Sequence, residues 1–574
     1  MPVRPPTQPA LGNSISGAWR DPVRVFMLLL AVGCAVAFWC MARGYSFYYG
    51  DAEAHLNIAR RIVDTRTPGG YQIGTVWLPL PHLLWAVFAV SDSLWQSGWA
   101  AVIPSVVCFA LAGSFLYVAA RRVFSASAAA STVVLLFALN PNILYLQSTS
   151  MTEPIQAAAV AALLWATLWY RDSKKLMAIV AAGIASNASS LTRYEGWFLI
   201  PFVALYLLWV ADRKWHAVLF GAIASVGPLA WLAHNQFYYS NALEFFNGPY
   251  SAAAIYQRQL ASGMQPYPGN HDLWVAVRQY VVATREVLGW PLLVLAVAGI
   301  VVLPKRRRST WPLCFLLLPA PFYFWSLYSS STPIFVRSFP PFSLYNLRYA
   351  IPMLMPMAWA AGGLVEWAVW GSSQSARKPV TDSPFRGRQS SSPPECLREN
   401  VVSHQFSQRI ARVLQANMTS WALGAIVTIG WLLPTAVWGA SAKPVSICWE
   451  ESAAGSVGRR RWSAEAARVL SRVSSAGAAY RSGSGVLFSF GDMAAVMRKA
   501  GIPFREGLYQ DNEFAWDAAM AKPELFLHEE WALAVEGDAV DQAVTRAIDK
   551  GKNYRVVDAI HVLGEPLVKI YHLD

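Results

Sequence analysis

Long apolar stretches recur along most of this 574-residue chain. About eleven of them have roughly the 17 to 25 residues that a helix needs to cross about 30 Å of hydrocarbon. Hydrophobic residues make up 55% of the sequence and charged residues only 14%, which is too apolar for a soluble globular protein. We therefore predict a polytopic α-helical membrane protein with spans at 25–41, 99–120, 128–146, 154–170, 176–191, 197–210, 215–233, 287–303, 311–326, 349–370 and 421–438.

Basic residues cluster before the first predicted span and after each even-numbered span. Because Lys and Arg in short loops are retained in the cytoplasm, these clusters predict the orientation of the chain. The clusters are Arg20, Arg24, Arg121, Arg122, Arg171, Lys174, Lys175, Arg213, Lys214, 305–308 and, after the tenth span, Arg377, Lys378, Arg386, Arg388, Arg398, Arg409 and Arg412. The net charge of +13 lies largely in these loops, so it does not indicate a nucleic-acid partner. We expect a multi-pass protein of a bacterial cytoplasmic membrane, its first span a retained anchor and its N-terminus cytoplasmic.

The same topology divides the chain into regions. A cytoplasmic segment, 1–24, precedes a membrane domain, 25–370, whose long outer segments run over 44–98 and 234–286, with a shorter one at 329–348. Residues 371–418 have the composition of a disordered cytoplasmic linker, and 419–438 form the last span. Residues 439–574 have a soluble composition and predict an extracytoplasmic α/β domain. Its predicted helices are 462–479, 493–500 and 540–550, and its predicted strands are 486–490, 525–527, 554–559 and 567–571.

Four acidic residues stand at the ends of apolar stretches, and the topology places all of them on the outer face. Asp51 and Glu53 follow the first span, Glu153 opens the fourth, and Glu195 lies in the turn after the fifth. Several carboxylates on one face predict a site for proton transfer, metal binding or a polar substrate. The alternative is structural, with Asp51 as a helix N-cap, Glu53 as a first-turn acid favoured by the helix dipole, and Glu153 as part of the cap of the fourth span.

Three further segments carry polar groups on that face. The apolar residues at 52, 56, 59 and 63 predict a helix lying along the membrane interface, which would also carry His55 one turn after Asp51. Arg193 and Tyr194 precede Glu195 in the tight turn between two spans. The alternative is that Arg193 and Glu195 serve only to hold this turn together as an ion pair. Arg348 enters the tenth span from outside, as a helix anchor or as a cation for a lipid phosphate.

These features together resemble the GT-C superfamily of membrane glycosyltransferases, which includes protein mannosyltransferases and bacterial lipid A aminoarabinose transferases. The resemblance covers about residues 20–370 and rests on the Asp-x-Glu pair after span one, the interface helix, the acid opening span four and the 192–196 turn. The outer C-terminal domain is similar in placement to those of many members. It shows no phosphate loop, triad or metal signature, so we predict that it is a lid or support.

The resemblance implies transfer of a sugar from a polyprenyl-phosphate donor to a protein, lipid or glycan acceptor outside the cytoplasm. It implies Asp51 as general base, Glu53 as the second catalytic carboxylate, and Arg193 and Arg348 on the lipid phosphate. Substrate contacts are expected from Glu153, Tyr194, Glu195 and His55. No cofactor is certain, and a divalent cation, if required, would be held by Asp51, Glu53 and Glu153. The rival functions are a transporter or flippase of lipid-linked sugars and a non-catalytic subunit of a glycan-assembly complex.

Overall fold

The helices of the membrane domain follow the predicted apolar stretches closely. The computed structural model describes residues 20–303, 307–375, 424, 446–475 and 483–574; all of the predicted span 421–438 except residue 424, and most of the 371–418 linker, lie outside them. In this part the α-helices are α1 Arg20–Ala42, α2 Gly50–Val63, α3 Pro79–Ala89, α4 Asp92–Ser97, α5 Trp99–Val123, α6 Ser127–Ala138, α7 Pro141–Leu146, α8 Glu153–Ser173, α9 Leu176–Ser190, α10 Glu195–Val210, α11 Trp215–Ala224, α12 Val226–Tyr239, α13 Glu244–Asn247, α14 Ala252–Ala261, α15 Leu273–Leu288, α16 Trp290–Val302, α17 Arg307–Leu317, α18 Pro319–Tyr328 and α19 Leu354–Ser375.

Several predicted spans are interrupted in the structure. The stretch 128–146 is two helices, because Pro141 cannot continue α6 and instead takes the first position of α7. Within the described residues, four helical segments are long and apolar enough to cross a membrane: Asp21–Ala42, Trp99–Val123, Trp215–Tyr239 and Trp311–Tyr328. The pair α15–α16, bent by 113°, would add a fifth. The count of about eleven spans therefore stays a prediction.

Close helix packing uses small residues where two backbones meet. A Cβ at Gly299 of α16 would lie 1.9 Å from the carbonyl oxygen of Ala360 in α19, so only glycine permits this approach. A Cβ at Gly196 would lie 2.5 Å from the backbone of Ser189, which makes the turn between α9 and α10 equally tight. This second contact fixes the position of Arg193 and Glu195 at the outer end of the bundle.

The C-terminal domain is built from helices and one five-stranded mixed sheet of order β2-β1-β3-β5-β4. Strand β1 pairs in parallel with β2 and β3, and β5 pairs antiparallel with β3 and β4. The prediction of a strand at 525–527 is wrong: Pro523 begins a short helix there, and the strand follows it. The elements are α20 Ile447–Ala454, α21 Val457–Ser475, β1 Val486–Phe488, α22 Ala494–Ala500, β2 Gly507–Leu508, α23 Glu513–Ala521, α24 Pro523–Phe526, β3 Trp531–Val535, α25 Ala539–Asp549, β4 Tyr554–Ile560 and β5 Val568–Leu573.

The C-terminal domain lies on the first outer segment and covers the polar side of α2. Arg61 of α2 forms an ion pair with Asp511, and Arg505 lies 2.8 Å from the carboxylate of Asp64. Tyr509 donates a hydrogen bond of 2.6 Å to Thr65. The sequence predicts α2 as a helix lying along the membrane interface, and in the structure the C-terminal domain buries its Arg61.

The predicted cytoplasmic loops meet at the other end of the bundle. Arg122, at the end of α5, lies 3.2 Å from Asp172 at the end of α8. The carboxylate of Glu366 in α19 accepts hydrogen bonds from the backbone N–H groups of Ser125 and Ala126. Helix α5 has 25 residues and therefore separates this end from the outer segments by roughly 37 Å.

Candidate active site

Helix α2 presents its two acidic residues in different directions. It begins at Gly50, and its N-cap is Tyr49, which makes no side-chain capping bond, so the alternative of Asp51 as an N-cap is wrong. Residues two apart on a helix lie on nearly opposite sides. Asp51 accordingly faces a cavity at the outer end of the bundle, whereas Glu53 faces the C-terminal domain.

The Asp51 carboxylate is paired with Arg348, which the 3₁₀ helix Leu347–Met353 brings from the far side of the cavity. The Asp51 side chain is 39% exposed, whereas that of Arg348 is 6% exposed. Arg348 Nε also lies 3.5 Å from Glu153 Oε1. A cation this buried needs carboxylates beside it, and here two of the predicted site residues supply them.

A second guanidinium, that of Arg193, extends the network on the other side of Glu153. Arg193 Nη1 donates a hydrogen bond of 2.9 Å to Glu153 Oε1, and Arg193 Nε lies 3.3 Å from Glu195 Oε2. Arg193 Nη2 donates a hydrogen bond of 2.8 Å to the hydroxyl of Tyr323, which itself donates to Glu195. The predicted Arg193–Glu195 pair is therefore present, but as part of a larger network.

The ring of Tyr349 lies against both guanidinium groups. The guanidinium carbons of Arg193 and Arg348 are 4.8 Å and 4.9 Å from the ring centroid. Such cation–π contacts hold two like charges close together without neutralising either of them. The outer end of the bundle thus carries two fixed cations beside three carboxylates.

Most of the predicted residues share one cavity of about 120 Å³. The predicted site residues that line it are Asp51, His55, Arg193, Tyr194, Glu195 and Arg348. A second, smaller hollow adjoins it, since Arg193 and Glu195 line both. The second hollow also includes Glu153 and is otherwise mainly apolar, with lining residues such as Val160, Leu316, Ile351 and Met355.

Glu53 takes part in a separate contact. Arg498 of α22 donates two hydrogen bonds to its carboxylate, of 2.6 Å from Nε and 2.9 Å from Nη2, and both side chains are buried. Burial alone would raise the pKa of Glu53, but the Arg498 guanidinium outweighs it and holds the pKa below its ordinary value. This arrangement joins the C-terminal domain to the helix that carries Asp51.

His55 lies one turn after Asp51 and forms a buried pair with His82. Its Nδ1 lies 2.9 Å from Nε2 of His82, and its ring is 4.3 Å from that of Trp77. Burial and then the charges of Arg348 and Arg193 lower the pKa of His55 to about 3, so the imidazole is neutral at physiological pH. His55 therefore offers the cavity an uncharged polar group.

The three acids predicted as metal ligands do not form a ligand set. In the described part of the chain, no group of three or more His, Cys, Asp or Glu side chains is arranged to hold a metal ion. Glu153 lies between two guanidinium groups, Asp51 is paired with one of them, and Glu53 is held by Arg498. The donor set thus does not fit a divalent cation, because each of the three carboxylates is paired with a guanidinium group of the protein.

The sequence gives little sign of several residues in and around the network. Tyr323 and Tyr349 lie in apolar stretches rich in aromatic residues, where tyrosine at a membrane interface is ordinary. Arg498 belongs to a domain in which we find no site motif. Only the position of Tyr349 directly after Arg348 could have drawn attention to it.

Comparisons with known proteins agree with this architecture. A family model described as dolichyl-phosphate-mannose-protein mannosyltransferase matches residues 79–233. ArnT from Cupriavidus metallidurans has a similar structure, with a TM-score of 0.54 and 14% sequence identity over 97% of this chain and 98% of that one. The chain has a GT-C fold. The apo structure of the Archaeoglobus fulgidus oligosaccharyltransferase gives a TM-score of 0.44 at 12% identity, over 90% of this chain and 69% of that one. The structure of AglB from Archaeoglobus fulgidus with an inhibitory peptide and a dolichol-phosphate gives a TM-score of 0.41 at 12% identity, over 91% of this chain and 70% of that one. No curated protein matches the sequence significantly.

The GT-C fold confirms the predicted fold family, and the sheet of the C-terminal domain confirms its α/β class. The family match contains Glu153, Arg193 and Glu195 but begins after Asp51 and ends before Arg348. The roles of Asp51 and Arg348 therefore have to be argued from geometry.

Proposed function

We propose that this chain is a membrane glycosyltransferase that moves a sugar from a polyprenyl-phosphate donor to an acceptor on the extracytoplasmic face. The observation that carries the proposal is the shared cavity, in which the partly exposed carboxylate of Asp51 faces two buried guanidinium groups. The matching family is described by a dolichyl-phosphate sugar, which is a donor of this class. The adjoining apolar hollow suits the lipid part of such a donor.

In the proposed reaction an acceptor hydroxyl attacks the anomeric carbon of the sugar. Asp51 takes the hydroxyl proton as a new carbon–oxygen bond forms, and the bond from the anomeric carbon to the phosphate oxygen breaks. The bonding electrons leave with the polyprenyl phosphate. Arg348 and Arg193 stabilise the negative charge that accumulates on it, and they are well suited to this because a guanidinium matches the geometry of phosphate oxygens.

The other groups of the cavity orient the substrates. Glu195 and Tyr323 hold the direction of the Arg193 guanidinium, and His55 and Tyr194 provide neutral polar surface against which a sugar can lie. Glu53 acts through the position of α2, since its carboxylate is occupied by Arg498. We do not assign a step to a divalent cation.

The test is a deletion strain of the source organism complemented with variants. Asp51→Asn should leave a folded protein in the membrane, cause a polyprenyl-phosphate sugar to accumulate in lipid extracts, and remove the corresponding glycan. Asp212→Asn, an exposed acid outside the cavity, is the matched control and should behave as wild type. Full complementation by Asp51→Asn would contradict the proposal and favour a flippase or an assembly subunit, for which a base in the cavity is not needed.

A further inference from the structure

A buried carboxylate of the C-terminal domain contacts the segment that carries Arg348. Glu451 lies in α20, the first described helix of that domain, and is buried. Its carboxylate accepts hydrogen bonds of 2.8 Å from the backbone N–H of Asn346 and of 2.9 Å from that of Leu347. These are the N–H groups at the start of the 3₁₀ helix Leu347–Met353, where a negative charge is favourable.

Asn346 connects this carboxylate to the guanidinium of Arg348. Its φ of 58° lies in the left-handed region, which asparagine adopts more readily than most residues. Its side-chain oxygen accepts a hydrogen bond of 2.8 Å from Arg348 Nη1, and its side-chain nitrogen donates one of 2.9 Å to the carbonyl of Pro333. The backbone held by Glu451 thus places the amide that orients Arg348.

We propose that Glu451 is a positioning residue for Arg348, so that the C-terminal domain takes part in building the cavity rather than only covering it. The path runs from the Glu451 carboxylate through Asn346 to the Arg348 guanidinium, which contacts Asp51 and Glu153. This inference rests on the proposed function, because the proposed function places Arg348 on the departing phosphate. Glu451 itself acts on the reaction only through another residue.

The contact differs from an ordinary surface ion pair on the same helix. Glu450 pairs with Arg337, and its side chain is 49% exposed. Exposed pairs of this kind contribute little, whereas a buried carboxylate shared by two N–H groups fixes a backbone direction. The neighbouring residues Glu450 and Glu451 therefore provide a matched pair of substitutions.

The experiment measures transfer kinetics and thermal unfolding for the purified full-length protein with a polyprenyl-phosphate sugar as donor. Glu451→Gln removes the charge and turns one oxygen into a donor, which cannot accept from Leu347. We expect kcat to fall roughly tenfold to a hundredfold through misplacement of the guanidinium, with KM for the acceptor unchanged. Glu450→Gln should change kcat less than about twofold.

A double-mutant cycle separates positioning from loss of folded protein. If Glu451 acts through Arg348, the combination of Glu451→Gln with Arg348→Lys should lose little more activity than Arg348→Lys alone. The inference is overturned if the activity losses of the two substitutions are additive, or if Glu451→Gln and Glu450→Gln have the same kcat. It is also overturned if a smaller folded fraction explains the whole fall in kcat of Glu451→Gln. Absence of sugar transfer by the wild-type protein would instead overturn the proposed function.

Discussion

The contact between Arg498 and Glu53 gives the sharpest test of how the C-terminal domain and the membrane domain depend on each other. Arg498 places two nitrogens on the Glu53 carboxylate, and the two side chains are 6% and 4% exposed. Arg498 also donates to the carbonyl of Gln96, and its guanidinium lies 4.0 Å from the ring centroid of Phe47. The substitution Arg498→Met keeps much of the side-chain volume and removes the charge.

The expected loss follows from what remains after the substitution. An ionised Glu53 would stay buried, with the Asn57 amide 3.4 Å away as a polar neighbour in the same helix. Breaking a buried pair by removing one partner costs about 3 to 5 kcal/mol. The double variant Glu53→Gln/Arg498→Met leaves no buried charge at the contact, so it should be clearly more stable than Arg498→Met alone. The matched control is Arg555→Met, whose partner Asp574 is exposed and whose pair should contribute little to stability.

The pH dependence of the effect has a defined sign. Because the folded-state pKa of Glu53 lies below its ordinary value, the pair stabilises the fold at neutral pH. That stabilisation is lost as the pH falls through the lowered pKa and Glu53 takes up a proton. The difference in stability between wild type and Arg498→Met should therefore shrink in acid.

Unfolding in detergent micelles, followed by tryptophan fluorescence during titration with a denaturing detergent, measures these differences. Limited proteolysis between α19 and α20 gives an independent measure of domain separation. The reasoning is refuted if Arg498→Met is no less stable than Arg555→Met, or if the double variant loses the sum of the two single losses. Either result would mean that this contact does not hold the domains together.

Four further predictions concern the cavity. Asp51→Asn should lower kcat about 10²- to 10⁴-fold in a donor-transfer assay, because it removes the general base, and should lower the unfolding midpoint only slightly, because Asp51 is partly exposed and Glu153 stays beside Arg348. Arg348→Ala should weaken binding of the donor lipid, measured with the lipid phosphate alone in vesicles, and unchanged binding would remove Arg348 from the phosphate site. His55→Gln should raise KM without altering the shape of the kcat profile between about pH 5 and pH 8, since His55 is neutral there. Prolonged treatment with a chelator should leave the transfer rate unchanged, and restoration of a lost rate by added Mg²⁺ or Mn²⁺ would contradict our argument from the carboxylate contacts.

The sequence predicts best what depends on local pattern and on topology. Hydrophobic length and basic loops are sufficient to place Asp51, Glu153 and Glu195 on one face, because both signals act within a single span and its flanks. The break at Pro141 follows from local chemistry and could have been read from the sequence as well. The α/β class of the tail is also visible, although its strand β3 was placed too early.

The contacts that decide the roles of the acids are beyond local pattern. Asp51 and Glu53 look equivalent in the sequence, yet their partners lie 297 and 445 residues away. Only the packing of α22 on α2 shows that Glu53 belongs to a domain contact and not to the cavity. No periodicity or spacing in one chain encodes such a pairing, so the sequence alone makes Glu53 a catalytic candidate.

The charges in the network place a condition on the proposed mechanism. Three carboxylates face two guanidinium groups, and Asp51 shares Arg348 with Glu153. While Arg348 donates to Asp51, the guanidinium occupies the carboxylate that an acceptor hydroxyl would have to contact. A donor phosphate would compete for the same guanidinium and release Asp51 toward the acceptor. On this mechanism the base becomes effective only when the donor is bound, which would prevent deprotonation of an acceptor that has no donor beside it. The orientation of Arg348 therefore matters both for deprotonation by Asp51 and for departure of the phosphate.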